Sequence, residues 1–261
     1  IGIAASQFNN ALDVIFARYA DVEGPALLWY AIRLQQLPLA LFGIALSNAL
    51  LPPLARTAKS GDQSKFILFF DFALKQSCAI MIFVTVGLLL LGDRCIDLLY
   101  ARGDFDTASI IGTTYCLWGY GLGLIPMTLI LIMAPAFYAQ GNYRAPTYAS
   151  IISMIVNIGL NFWFIIILKL GASSVAFATS FSAWVNLAIL IIASKKSWEF
   201  SYLNASRSML KVVFMSLSAA CVVFLVDGWF DGNTGWKIIH GKVPAYGEGF
   251  AAKSFHLALD L

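Results

Sequence analysis

The sequence predicts an all-α, polytopic transmembrane helix bundle, and three observations carry that prediction. First, of 261 residues, 60% are hydrophobic and 12% charged, where an ordinary soluble domain has about 45–50% and about 25%. Mean hydropathy is +0.79. So little charge cannot coat a water-facing surface of this size, and so apolar a chain is the opposite of a disordered one. Second, the apolar residues come in long runs without period-2 alternation, which excludes strands. Third, the runs approach the roughly 20 residues that a helix needs to cross a hydrocarbon core of about 30 Å. Net charge is +3, too mild to suggest nucleic acid or another polyanion as a partner.

Seven segments are expected, with part of an eighth. The first, 1–20, starts at Ile1 with no basic leader or small-residue cleavage pattern before it, so the chain reads as a piece of a longer protein. Within it Ser6, Asn10 and Asp13 are spaced i, i+4, i+7 and share a face. The second, 25–53, contains Pro38, which loosens a helix. A polar, basic connection follows at 55–65 (ARTAKSGDQSK). The third, 66–92, carries Asp71 and Lys75 at i, i+4, the spacing of an ion pair. A mixed connection at 92–106 ends in Asp106 or Thr107, either of which suits the N-cap of the fourth segment, 107–138. Gly119, Gly121 and Gly123 thin that segment and allow close packing or bending. A tight turn at 141–146 leads to the fifth, 145–168. Only Lys169-Leu170-Gly171 separates it from the sixth, 172–193, so these two form an antiparallel hairpin. A basic stretch, 194–207, precedes the seventh, 208–228, and the eighth is cut off at Leu261.

Orientation follows from counting basic loop residues. With alternating loops, one side receives Arg56, Lys59, Lys65, Arg144, Lys195, Lys196, Arg207 and Lys211; the other receives Arg18, Arg94, Arg102, Lys169, Lys237 and Lys242. Eight against six places the first set in the cytoplasm. Trp29, Tyr30, Trp198 and Trp229 fall near helix ends, where interfacial aromatics belong.

Cys78, Cys95, Cys116 and Cys221 show no CxxC spacing, and His240 and His256 sit alone near the C-terminus. These cysteines read as packing residues, with no disulfide framework or zinc site. No nucleophile–base set or pair of catalytic acids is assembled along the membrane segments, so the chain is not expected to be an enzyme. Arg102-Gly103-Asp104 reads as an accidental RGD in a turn, and Asn204-Ala205-Ser206 fits a glycosylation pattern on the side assigned to the cytoplasm.

Ionisable residues inside a membrane are costly and point to function. Arg33 lies about a third of the way along the second segment with Gln35 and Gln36 behind it. One reading is an arginine that snorkels to the nearer interface. The other is a cavity arginine that binds an anion, because its planar fork donates two parallel hydrogen bonds and keeps its charge. Asp13 must pair, protonate or be thoroughly hydrogen-bonded. Ser153, Asn157 and Asn161 repeat every four residues, and Thr179, Ser182 and Asn186 form a matching stripe. These stripes suit interhelical hydrogen bonding; the alternative is an oxygen-lined cation site to which Asp13 brings the charge.

The run WYAIRLQQLPLALFGIALSNALLPPLAR (29–56) closely resembles the MurJ/MviN-type lipid II flippases of the multidrug/oligosaccharidyl-lipid/polysaccharide exporter superfamily. LLYARGDFDTAS (98–109), APAFYAQGNYRAP (134–146) and GASSVAFATSFSAWVN (171–186) are similar to further stretches of that family in the same order. The resemblance covers about residues 1–228. It implies the C-terminal lobe of a two-lobe, 14-helix transporter: residues 1–193 as the second six-helix transport lobe, and 194–261 as a linker, helix thirteen and a truncated helix fourteen in the lipid-tail groove.

The resemblance further implies a flippase that moves undecaprenyl-pyrophosphate-linked peptidoglycan precursor across the bacterial inner membrane by alternating access. Its partners would be lipid II or a similar lipid pyrophosphate, membrane lipids and the missing N-terminal lobe. The alternatives are a cation-coupled drug or polysaccharide-lipid exporter, or an inactive scaffold fragment. By the same resemblance Arg33 matches a cavity arginine that engages the pyrophosphate, with Gln36 at a position acidic in some members. Asp13, Asn157, Asn161, Val175 through its carbonyl, and Thr179 match a sodium site. Asn161 stands where sodium-binding members have an acid, which implies weaker Na⁺ affinity, or H⁺ as the coupling ion.

Overall fold

The computed structural model describes residues 2–103 and 105–197, with Met215, Ser216 and Ser218; the side chains of residues 2–6, 196 and 197 are outside that description. Helix α1 spans Gly2–Ala20. Helix α2, Gly24–Pro38, runs through a π-helical turn at Leu39–Ile44 into α3, Ala45–Ser60. Helix α4 covers Gln63–Tyr100, α5 Thr107–Gly121 and α6 Leu124–Ala139. Helix α7, Arg144–Asn161, also continues into a π-helical turn, Phe162–Ile167, and α8 spans Ser173–Ser197. The seventh and eighth expected segments, the 227–246 tail, Cys221, His240, His256, Asn204, Trp198 and Trp229 lie wholly or almost wholly outside the described residues.

Two expected connections are helical instead. The second segment does not exit at Pro52-Pro53; α3 carries both prolines inside it and continues to Ser60. A proline removes one backbone donor and its ring presses on the preceding turn, yet membrane helices tolerate it where neighbouring groups compensate. One turn on, Thr57 Oγ1 lies 3.0 Å from the Pro53 carbonyl and 3.1 Å from that of Leu54. The real stop is Gly61, at φ +70°, whose N–H and the next close onto Ala58 and Thr57. That left-handed residue ends a helix at no steric cost only as glycine. Asp62 then caps α4, accepting from the Lys65 N–H at 3.0 Å. The Asp62 carboxyl is held below its ordinary range by the Lys65 side-chain hydrogen bond first and the backbone N–H second.

Helix α4 likewise passes through Asp93 and Arg94, expected in a loop, and ends at Tyr100. At about 1.5 Å per residue its 38 residues reach about 57 Å, well past a hydrocarbon core of about 30 Å. The charged last turns therefore stand in the interface and the water beyond it. The Asp71–Lys75 pair forms at 2.6 Å. Asp106 is the N-cap of α5, accepting from the Ser109 N–H at 2.8 Å, as expected.

The fourth segment is broken. α5 and α6 meet at a bend of 40° around Leu122-Gly123. Carbonyls at the break accept from other helices. Ser180 Oγ donates to Gly119 O at 2.6 Å, Gln35 Nε2 to Tyr120 O at 2.9 Å, and Trp184 Nε1 to Leu122 O at 3.1 Å. The break packs so tightly on α8 that a Cβ at Gly123 would sit 2.5 Å from Ser180 Oγ.

α7 and α8 form the expected hairpin, with α1 lying against α7 and α2 against α1 and α5. α5 packs on α2, α4 and α8, and α6 on α3, α4 and α8. Two apolar cores result. One gathers Leu54, Phe66, Phe70, Phe137 and Leu190 at one end. The other gathers Ala17, Leu28, Leu117, Ile165 and Val175 at the opposite end. Phe83, Ile155, Phe181 and Ile192 instead face outward, as a lipid-facing surface requires. Four helical runs are long and apolar enough to cross a membrane: Gly24–Ser60, Gln63–Tyr100, Arg144–Ile167 and Ser173–Lys195. The bent α5–α6 pair makes a fifth when counted as one span. α1, with Asn9, Asn10 and Asp13, is not among them. The described cysteines, Cys78, Cys95 and Cys116, are free; Cys78 and Cys116 are buried and Cys95 is half-buried.

Candidate functional site

The site lies between the two cores, where α1, α7 and α8 meet. Asp13 is 4% exposed, and Asn157 and Asn161 are fully buried. Sequence spacing alone makes this meeting natural. Four-residue steps keep Ser153, Asn157 and Asn161 on the α7 face that turns to α8, and Val175 and Thr179 on the facing side of α8.

Asn161 Nδ2 donates to Asp13 Oδ1 at 2.7 Å and to Asn157 Oδ1 at 2.9 Å. Thr179 Oγ1 lies 2.9 Å from Asp13 Oδ2 and 2.9 Å from the Val175 carbonyl. Its one proton serves one of them at a time. Asn157 Nδ2 donates to Thr179 Oγ1 at 3.2 Å. All five residues expected at the cation site are thus within one cluster, and every partner of the carboxylate is neutral.

With its oxygen inward, Asn157 places Oδ1 3.0 Å from Asp13 Oδ1 and 3.0 Å from Asn9 Oδ1. There the Asn161 amide donates to Asp13 Oδ1 and Asn157 Oδ1, but no proton lies between Asn157 Oδ1 and Asn9 Oδ1. Turning the amide over converts both contacts into hydrogen bonds and points its oxygen at the Thr179 N–H, 3.2 Å away. Asn161 Oδ1 is buried without a hydrogen-bond partner. Such a group costs about 1–3 kcal/mol unless something fills its lone pairs. Oxygen atoms supply the donor set, and among the described residues no group of three or more His, Cys, Asp or Glu side chains could hold a metal ion. One carboxylate with neutral oxygens suits a hard, singly charged cation and gives no foothold to zinc or another soft metal.

Asn10 does not join Asp13. It is exposed, and Asn9 takes the expected place, with Nδ2 3.4 Å from Asp13 Oδ2. The side chain of Ser6 is outside the described residues. The second stripe also does the interhelical work expected of it, since Ser153 Oγ donates to the Ser182 carbonyl at 2.8 Å.

Beside the cluster opens a cavity of about 360 Å³, with Asn9 and Thr179 on its wall and Gln35, Gln36, Ser150 and Asn186 further out. None of its lining residues is charged. Gln35 was not singled out by the sequence as a structural residue; at 2% exposure, bonded to Tyr120 O and 3.3 Å from Met127 Sδ, it joins α2 to the α5–α6 break. Gln36 lines this cavity, but Arg33 does not. Arg33 is exposed, its guanidinium carbon 4.5 Å from the centre of the Trp29 ring. Among the described residues it forms no ion pair, so its donors are free for an anion. The structure therefore separates Arg33 from the Asp13 cluster as two distinct centres.

Comparison with known proteins adds the family. The family model described as "Lipid II flippase MurJ" matches residues 1–237. A "Probable lipid II flippase MurJ" of Chlamydia muridarum is 34% identical over 237 residues, covering 90% of this chain and 44% of that protein. One from Vibrio cholerae is 32% identical over 192 residues, covering 72% of this chain and 36% of that protein. A solved structure titled "Lipid II flippase MurJ, inward closed conformation" superposes with a TM-score of 0.77 at 26% identity, over 92% of this chain and 48% of that one. A solved structure titled "Outward-facing conformation of a multidrug resistance MATE family transporter of the MOP superfamily", at 16% identity and a TM-score of 0.66 over 85% of this chain and 51% of that one, shares the fold. The chain spans less than half the length of the relatives it matches. The matched residues take in every described helix, from the Asp13 turn of α1 to the last turn of α8. On that coverage, and on the shared scaffold, the chain belongs to the MurJ family of lipid II flippases.

Proposed function

We propose that this chain is one lobe of a bacterial plasma-membrane transporter that flips lipid II, or a similar lipid-linked oligosaccharide pyrophosphate, by alternating access. Residues 1–193 act as the second transport lobe and 194–261 as the linker and lipid-tail region. The other wall of the transport pathway is the N-terminal lobe. Family membership over residues 1–237 carries this reading.

In it, Arg33 engages the pyrophosphate. Its guanidinium is stacked on Trp29 and, among the described residues, forms no ion pair, so binding an anion breaks no existing pair. Trp29 holds the side chain out from the helix, and Gln36 offers a neutral amide one turn on. The alternative, a drug exporter, calls for an anionic or aromatic pocket, and an uncompensated arginine repels a cationic drug.

The Asp13 cluster is the coupling site. Asp13, Asn157, Asn161, the Val175 carbonyl and Thr179 would hold Na⁺, or Asp13 alone would hold H⁺. The bound cation supplies the positive charge that the neutral partners lack. Because it would be held from α1, α7 and α8 at once, it fastens α1 to the hairpin. With Asn161 in place of a second carboxylate, the attraction for Na⁺ is weaker than a two-acid site provides.

The test is genetic and uses the full-length protein. Arg33→Ala is expected to abolish complementation of a bacterium depleted of its lipid II flippase while expression and membrane insertion stay intact. Normal growth of that strain would overturn the assignment of Arg33.

A further inference from the structure

We infer that the uncharged cavity is the hydrated passage by which the cation reaches the Asp13 cluster, that it opens toward the end of the bundle carrying the basic loops, and that Asn9 ligates the cation at its threshold. This rests on the cation reading above and extends it to a residue and a route that reading does not contain.

Geometry assigns Asn9. Its Oδ1 lies 3.0 Å from the Asn157 amide head, which itself lies 3.0 Å from Asp13 Oδ1. Like-charged oxygen dipoles at 3.0 Å repel unless a cation sits among them or an amide turns over. Asn9 is also a wall residue of the cavity, so its amide belongs to both compartments.

Polar groups mark the route. Moving from the cluster toward the basic end, α7 offers Asn157, then Ser153, then Ser150, while α8 offers Thr179, Ser182, then Asn186. On that side α7 begins at Arg144 and α8 ends at Ser197. Each turn therefore presents an oxygen, which a cation shedding and regaining water requires. The Asn186 Oδ1 is buried and has no protein partner, so a water in the cavity would satisfy it.

Toward the other end the ladder stops. Ala17, Ile165, Ala172 and Ala176, all buried, close the cluster with apolar side chains. Among the described residues, this apolar layer separates the cluster from that end.

Two measurements on the full-length protein test this. In the first, Ser150→Cys and Asn186→Cys are exposed to a membrane-impermeant thiol reagent in sealed vesicles of either orientation, in Na⁺-free, substrate-free buffer, with the unsubstituted protein as background. Labelling is expected from the basic-loop side, about tenfold or more faster than at Ala172→Cys in the apolar seal. Labelling from the opposite side, or none above background, would overturn the passage. In the second, thermal stability is followed against NaCl at constant ionic strength. Asn9→Leu should raise the half-saturating Na⁺ about tenfold, in the range expected when a group supporting a metal site is lost. Asn9→Asp, which keeps the oxygen and adds charge, should lower it. If both Asn9 variants match the unsubstituted protein while Asp13→Asn abolishes the effect, Asn9 is not a ligand and the cation site stands. If the unsubstituted protein shows no Na⁺ dependence, the cation reading itself fails.

Discussion

At the scale of single residues, the decisive position is Asn161. Its amide donates to Asp13 and leaves its own oxygen unpartnered. A carboxylate there could not donate, and would repel Asp13 until a cation entered. Asn161→Asp should therefore destabilise the protein in Na⁺-free buffer and lower its half-saturating Na⁺ concentration about tenfold or more, since each added unit of charge contributes on the order of 1.4 kcal/mol or above at this depth. Thermal unfolding at graded NaCl checks both signs, and an unchanged Na⁺ dependence would argue that Asn161 lies outside the coordination sphere. Sequence spacing found the α7 and α8 stripes, but it put Asn10 beside Asp13 where the structure puts Asn9. The reason is angular. At 100° per residue Asn9 lies about 40° from Asp13 around α1 and Asn10 about 60° away on the other side. Both fit one broad face, and only the position of α7 decides between them.

At the scale of elements, the α5–α6 break organises the lobe. Three carbonyls at the bend accept hydrogen bonds from α2 and α8, so the break is a fastening point and not a loose joint. Gly123 makes that approach possible. Gly123→Val should force α6 off α8 and cost about 1–3 kcal/mol, the usual range for overpacking. The melting temperature is the readout, and a melting temperature equal to that of the unsubstituted protein would contradict the contact. Glycines 119, 121 and 123 flagged this bend in the sequence. The continuation of α3 through Pro52-Pro53, and of α4 through Asp93-Arg94, was hidden. Local propensity penalises both, whereas neighbouring helices and interfacial water relieve the penalty only in the folded bundle.

At the scale of the whole molecule, the loop ends sort by side. Ser60 and Asn142 lie at the end that gathers Arg56, Lys59, Lys65, Arg144 and Lys195, and Asp21, Arg102 and Lys169 at the other. Ser60→Cys should label from the cytoplasmic face and Arg102→Cys from the opposite face in oriented vesicles; labelling of both from one face would break the alternating topology. The bundle's class was plain from composition, because an apolar excess this large has one architectural outlet. The assembly of the site was less so. Periodicity showed which residues share a face, but the meeting of α1 with a hairpin almost 150 positions later is a long-range fact that came from family resemblance.

That separation has a consequence for biogenesis. Asp13 finds its amide partner 148 residues further along the chain. At about 5–20 residues per second of synthesis, α1 waits roughly 7–30 s before α7 emerges. Through that interval the helix least suited to lipid, with Asn9, Asn10 and Asp13 all unsheltered, must be retained by the insertion machinery or lie at the membrane surface. Its stable placement across the bilayer is therefore set late, by the arrival of α7 and α8, and a ribosome stalled before α7 should leave α1 accessible to alkaline extraction.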